Sequence, residues 1–149
     1  MNTTNISYKI NTAGIDNVWS HLVDCDKDFM PQLSTRVNLK EYAQKIIEKA
    51  TLFEAWHNDT LIGLIAIYTN PQDHTAFITN VSVVKEFTGL GISSSLLHQC
   101  IEHLRTKKFL YINLEVNSHN STAIGLYNKY GFTFYGTKGD ADIMQLKIV

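Results

Sequence analysis

Apolar residues recur along the chain with two periods, and the changes between them mark out the elements. Ile6, Tyr8 and Ile10 alternate with polar residues, the two-residue period of a half-buried strand. Ile15, Val18, Trp19 and Leu22 then take helical spacing, which predicts a helix over residues 14–22. From 24 to 37 the periodicity stops: Asp24, Asp26, Asp28, Pro31 and Ser34-Thr35 read as irregular chain. Asn38 and Glu41 form an N-cap and N3 pair. Behind them Leu39, Tyr42, Ala43, Ile46, Ile47 and Ala50 predict a helix packed on a core. Two strand-like runs, 51–57 and 61–69, flank Asn58-Asp59-Thr60, a hairpin turn by composition. The run 74–84, rich in Val, Ile, Thr and Phe, has the composition of a central strand.

The second half continues the same way. Leu96, Leu97, Cys100, Ile101 and Leu104 mark a helix starting near Ile92, and Leu110, Ile112, Leu114 and Val116 share one face of a strand. Residues 121–130 fit a helix with Asn120 as N-cap and Gly131 as its stop. Strands at 132–137 and 142–148 close the chain around Lys138-Gly139-Asp140. The order β-α-α-β-β-β-α-β-α-β-β predicts a mixed α+β fold, three layers deep, with helices on the faces of a mostly antiparallel sheet.

Composition narrows the function. The 149 residues suit one domain, 1–149, with a core of its own. Thirteen Lys and Arg balance fourteen Asp and Glu, and Arg36 and Arg105 are the only arginines. A nucleic-acid binder would carry a basic face, so no nucleic-acid partner is expected. The longest apolar run, Leu61 to Tyr68, is too short for a bilayer, and no secretory pattern opens the chain. No membrane association is expected, and the cytoplasm is the default location. Cys25 and Cys100 are too few for a disulfide scaffold, and Cys100 falls on an apolar helix face. The six histidines show no paired ligand spacing, so no metal is expected.

The chemistry concentrates between Val81 and Gly131. After the strand ending near Val84, Phe87-Thr88-Gly89-Leu90-Gly91-Ile92-Ser93-Ser94 leads into a helix. Glycines there let backbone amides approach a ligand, and the helix start adds unsatisfied N–H groups: together a phosphate site. A tight turn needing glycine for conformation alone is the equal alternative on this turn by itself. A P-loop would need G-x-x-x-x-G-K-[ST], which is absent. A Rossmann site would place Glu115 near a ribose, but Ser94 replaces its third glycine and too little chain follows for a doubly wound sheet.

Thr88-Gly89-Leu90-Gly91-Ile92-Ser93 matches the positions of the acyl-CoA motif R/Q-x-x-G-x-G/A. Asn120-Ser-Thr-Ala123, followed by Leu126-Tyr127 and Gly131-Phe132, matches a second motif, and Leu114-Glu115-Val116 precedes it. From about Phe77 to Tyr135 the chain resembles the GCN5-related N-acetyltransferase (GNAT) family. Thr88 stands where the family has Arg or Gln, and Ser93 where it has Gly or Ala, so both bear on cofactor affinity.

The resemblance implies transfer of an acetyl group from acetyl-CoA to a primary amine in a ternary complex. It implies a cofactor site at Val81, Val83, Thr88, Gly89, Leu90, Gly91, Ile92, Ser93, Ser94, Asn120 and Tyr127, with Lys85 and Lys129 as supplements. Val83 would supply a backbone N–H to the oxyanion, the alternative being ordinary ladder pairing. Tyr127 would be the acid at the CoA sulfur. Glu115 is the favoured base, its spacing to Tyr127 being similar to that in ribosomal-protein alanine N-acetyltransferases; a structural carboxylate is the equal alternative. His74 and His119 are weaker bases. Phe29, Arg36 and Tyr135 would meet the amine, beside Asp24, Asp26 and Asp28. The resemblance leaves a homodimer open. A non-catalytic acyl-CoA-binding protein on the same fold is the alternative function.

Overall fold

The computed structural model describes residues 5–148. The elements follow the predicted order: β1 (Ile6–Ile10), α1 (Ile15–Cys25), α2 (Leu39–Lys49), β2 (Thr51–His57), β3 (Thr60–Asn70), β4 (Thr75–Val83), α3 (Ile92–Thr106), β5 (Tyr111–Asn117), α4 (Ser121–Lys129), β6 (Thr133–Lys138) and β7 (Ala141–Lys147). Boundaries move by one to three residues. The larger change is at α1, which runs to Cys25, and the expected irregular stretch contains two short 3-10 turns, Asp26–Asp28 and Leu33–Thr35. The predicted caps form: Asn38 Oδ1 accepts from Glu41 N–H, and Asn120 Oδ1 from Ala123 N–H.

Seven strands make one sheet in the order β1-β2-β3-β4-β5-β7-β6. Only β4 and β5 run parallel. Each face of the sheet buries its own core. On one, Ile65, Ile67, Ile78 and Ile112 pack with Leu96, Leu97, Cys100 and Leu104 of α3. On the other, Leu52, Leu64 and Ala66 pack with Val18 and Leu22 of α1 and Ala43 and Ile46 of α2. Removing this apolar surface from water, at ~25 cal/mol per Å2, is the main stabilising term.

Three details set where the helices lie. Gly63 on β3 lets α3 close on the sheet: a Cβ there would stand 2.9 Å from Ile92 Cγ2 and 3.1 Å from Leu96 Cδ1. The buried Glu54 carboxylate accepts from the N–H groups of Thr12 and Ala13, the Thr12 hydroxyl and Trp56 Nε1, fixing the approach to α1. The third is a bulge in β4. Ile67 pairs with Ile78 and Ala66 with Asn80, so Thr79 is an extra residue. It reverses the alternation: Ile78 belongs to the α3 core, yet Val81 also packs there, and Asn80 and Ser82 turn to the α1 face. Tyr42 of α2 clamps the bulge, its hydroxyl donating to the Thr79 carbonyl at 3.0 Å.

Candidate active site

A cavity of about 730 Å3 opens where β4 and β5 part. The two strands pair only from Thr75 to Ile78 against Tyr111 to Leu114, while β3 stays with β4 as far as Val83. Beyond Ile78 one edge of β4 therefore has no sheet partner. Val84 N–H donates to Ile62 O at 2.8 Å, on the β3 side. Main-chain groups alternate along a strand, so the amides of Val83 and Val81 face the open edge.

Next to this edge lies the glycine turn. Gly89 and Gly91 hold φ +79° and +78°, the left-handed region, and a Cβ on either would meet nothing within 4 Å. Glycine is required there for conformation, and the space above it is free. Gly91 caps α3 without a side-chain hydrogen bond. Ile92, Ser93 and Ser94 line the cavity, and as the first residues of that helix their amides have no intrahelical partner and carry the positive end of the dipole. The Thr88 hydroxyl donates to Lys85 O at 2.7 Å, so it is committed to the turn itself.

Tyr127 lines the cavity from α4, 7% exposed, its ring 5.7 Å from that of Phe132. Its hydroxyl makes no hydrogen bond to the described residues, and burial pushes the phenol up to about 12. Tyr127 therefore keeps its proton at neutral pH and is a free donor. Glu115 lines the β5 side, with Lys138 Nζ 3.6 Å from Oε2.

The opposite wall is made of side chains. Cys25, Asp28, Phe29, Leu33 and Arg36 face Thr79, Asn80 and Ser82. The loop carrying Phe29 is tied by Asp26, which accepts from Gln32 Nε2 at 2.8 Å and from Ser34 N–H and Oγ at 2.7 Å each. Those donors, Gln32 first, hold the Asp26 carboxyl below its ordinary range. Beneath Ser82 lies His21, with Nε2 2.8 Å from Ser82 Oγ and Nδ1 3.0 Å from Leu61 O. Burial without a counter-charge lowers the imidazole to about 4.

Of the residues anticipated from sequence, Val81, Val83, Thr88, Gly89, Gly91, Ile92, Ser93, Ser94, Glu115, Asn120, Tyr127, Asp28, Phe29 and Arg36 line this one cavity. Leu90 does not: between two left-handed glycines its side chain turns outward and is 37% exposed. Tyr135 does not either. It lies beside a register shift in the edge strand β6, 67% exposed. His74, His119, Lys85 and Lys129 are exposed and off the lining. Asp24 and Asp26 are also off it. Sequence reasoning missed Ser82 as a side chain, because an unmarked bulge chooses its face, and missed His21. The available signal for His21 was its place on the stripe of Val18, Leu22 and Cys25. Among the described residues, no three His, Cys, Asp or Glu converge as metal ligands. No helix among them is long and apolar enough to cross a membrane.

A splayed strand pair, an open amide edge and a glycine turn capping a helix agree with one sequence family. The model of the acetyltransferase (GNAT) family matches residues 16–132. The chain belongs to the GNAT family. Within it, the chain is 31% identical over 77 residues to N-alpha-acetyltransferase 20 of Dictyostelium discoideum, a match covering 47% of this chain and 44% of that one. The chain spans about half the length of the curated relatives it matches. Solved structures with the same fold include the ribosomal-protein-S18-alanine N-acetyltransferase of Escherichia coli (TM-score 0.76, 20% identity, 95% of this chain and 94% of that one). Another is the PaiA N-acetyltransferase of Thermoplasma acidophilum in complex with coenzyme A (TM-score 0.72, 21% identity, 95% of this chain and 99% of that one). The GNAT fold thus includes residues 6–50, where the sequence carries no motif.

Proposed function

We propose that this GNAT protein transfers an acetyl group from acetyl-CoA to a primary amine by direct attack, with both substrates in the cavity. The observation that carries this reading is the open amide edge of β4 beside the start of α3, whose glycine cap leaves the first amides without a side-chain partner. The coenzyme's pyrophosphate fits the turn, since free amides of residues 89–94 face open space and the Ser93 and Ser94 side chains line it. When bound, acetyl-CoA supplies the activated acetyl thioester. Each residue then has a physical task. The Val83 N–H donates to the carbonyl oxygen as it gains charge. The buried neutral Tyr127 gives a proton to the departing sulfur, whose thiol pKa is about 8.5 by analogy with Cys. Glu115 takes the amine's proton, with Lys138 beside it to balance the charge. Phe29 and Arg36 border the amine.

Calorimetric titration with acetyl-CoA and with NAD, followed by free-thiol release against a panel of amines, tests the reading. Acetyl-CoA binds, NAD does not, and at least one amine releases thiol. Binding without release for any amine would favour a non-catalytic acyl-CoA binder instead; no binding at all would overturn both.

A further inference from the structure

We propose that Ser82 is the group that receives the acceptor amine, and that His21 positions it by taking the hydroxyl's own hydrogen. The inference deepens the acetyltransferase reading and rests on it. His21 Nδ1 faces the Leu61 carbonyl at 3.0 Å. A carbonyl only accepts, so Nδ1 carries the ring hydrogen. The other polar neighbours of the ring are Ser82 Oγ at 2.8 Å from Nε2 and the Cys25 thiol at 3.7 Å, with no carboxylate among them. A ring buried in this way, with its pKa near 4, is neutral at pH 7, and Nε2 is a bare lone pair.

Ser82, at the shorter distance, therefore donates to Nε2. A hydroxyl has one hydrogen, so towards every other partner Ser82 offers lone pairs only. Asn80 Oδ1 lies 2.8 Å from the same oxygen. With the one Ser82 hydrogen donated to Nε2, two acceptors would face each other there, so the Asn80 amide is turned to present its NH2 end, its orientation being set by the network around it. Ser82 has a second lone pair, and the residue lines the cavity. That lone pair accepts an N–H and repels a competing acceptor.

Position gives this its consequence. Ser82 sits directly before Val83, whose amide faces the open edge of β4. One step of one strand thus addresses both reactants, the backbone holding the acetyl oxygen and the side chain holding the amine. An N–H fixed on Ser82 leaves the nitrogen lone pair free to face the thioester.

Nitrogen-15 NMR of the imidazoles in the full chain tests the first half. His21 is expected as the neutral Nδ1–H tautomer from pH 6 to 8; a charged ring, or an Nε2–H tautomer, overturns the proposal. Kinetics test the second half, using whichever of spermidine, glucosamine, lysine and an alanine-initiated peptide releases thiol fastest. Ser82→Ala and His21→Leu are expected to raise the amine KM about tenfold. Their acetyl-CoA Kd, measured by calorimetry, stays within about twofold of wild type. His21→Gln can donate to Leu61 O and accept from Ser82, and restores the amine KM to within about threefold. Unchanged amine KM in both variants, or a parallel rise in acetyl-CoA Kd, reduces the pair to a structural role. A wild type that binds acetyl-CoA but acetylates none of the four amines fails the acetyltransferase reading first, and this inference with it.

Discussion

The two walls of the cavity are built by different means. The β4 edge, the Gly89–Gly91 turn and the start of α3 present main-chain amides, and at Gly89 and Gly91 the missing side chain leaves open space. The α1 wall presents side chains, held by hydrogen bonds that connect residues far apart in sequence, His21 to Ser82 and Tyr42 to Thr79, and by the loop bond of Asp26 to Ser34. A main-chain site needs a particular backbone path, which a short glycine motif specifies. A side-chain site needs several elements to converge, which no single stretch specifies. The first arrangement suits a ligand shared by a whole family, and the second can be rebuilt for each acceptor.

Perturbing one wall at a time shows whether they act separately. The largest effect is expected at the junction: Tyr127→Phe lowers kcat about a hundredfold or more, with acetyl-CoA affinity nearly unchanged. Steady-state kinetics beside calorimetry check this, and an unaltered kcat removes Tyr127 from the mechanism. Next is the pH dependence of stability on the α1 wall. His21 has a folded pKa near 4, below the 6.5 of an unfolded imidazole. Between those values the unfolded chain binds a proton that the native one refuses, so stability falls as pH drops from 6.5 towards 4, by ~3 kcal/mol. Thermal melts across that window should show the loss, and His21→Gln should flatten it.

On the amide wall, Gly91→Ala forces an alanine into φ +78°. A strain of ~1–2 kcal/mol follows, and acetyl-CoA Kd should rise about tenfold with the amine KM little changed. If the amine KM rises as much, the walls are coupled through α3. The smallest effect is expected from Asp26→Asn, which keeps the shape of the residue and weakens its bonds to Ser34. It should raise the amine KM by less than the Gly91 change alters Kd, and leave calorimetric acetyl-CoA binding alone.

Much of the fold was readable because it is local. Asn38 and Asn120 cap their helices as their spacing to Glu41 and Ala123 implied, and the periods of α2, α3 and β5 matched their buried faces. The glycine turn before α3 was readable for the same reason. Fourteen anticipated residues, from Asp28 to Tyr127, line one cavity. Leu90 was anticipated for its place in the amide turn, and only the tertiary structure shows its side chain turned outward between two left-handed glycines. Tyr135 was misplaced because a register shift in β6 cannot be seen as a period.

The sequence alone determined the order of elements, the amide turn and the identity of the family, since each depends on residues adjacent in the chain or at fixed short spacing. The tertiary structure alone decided that β4 leaves β5 after Ile78, and that Thr79 bulges to turn Asn80 and Ser82 towards α1. It also decided that His21, 61 positions from Ser82, lies against its hydroxyl. Those features depend on which elements share space, and packing sets that only when the whole chain has folded.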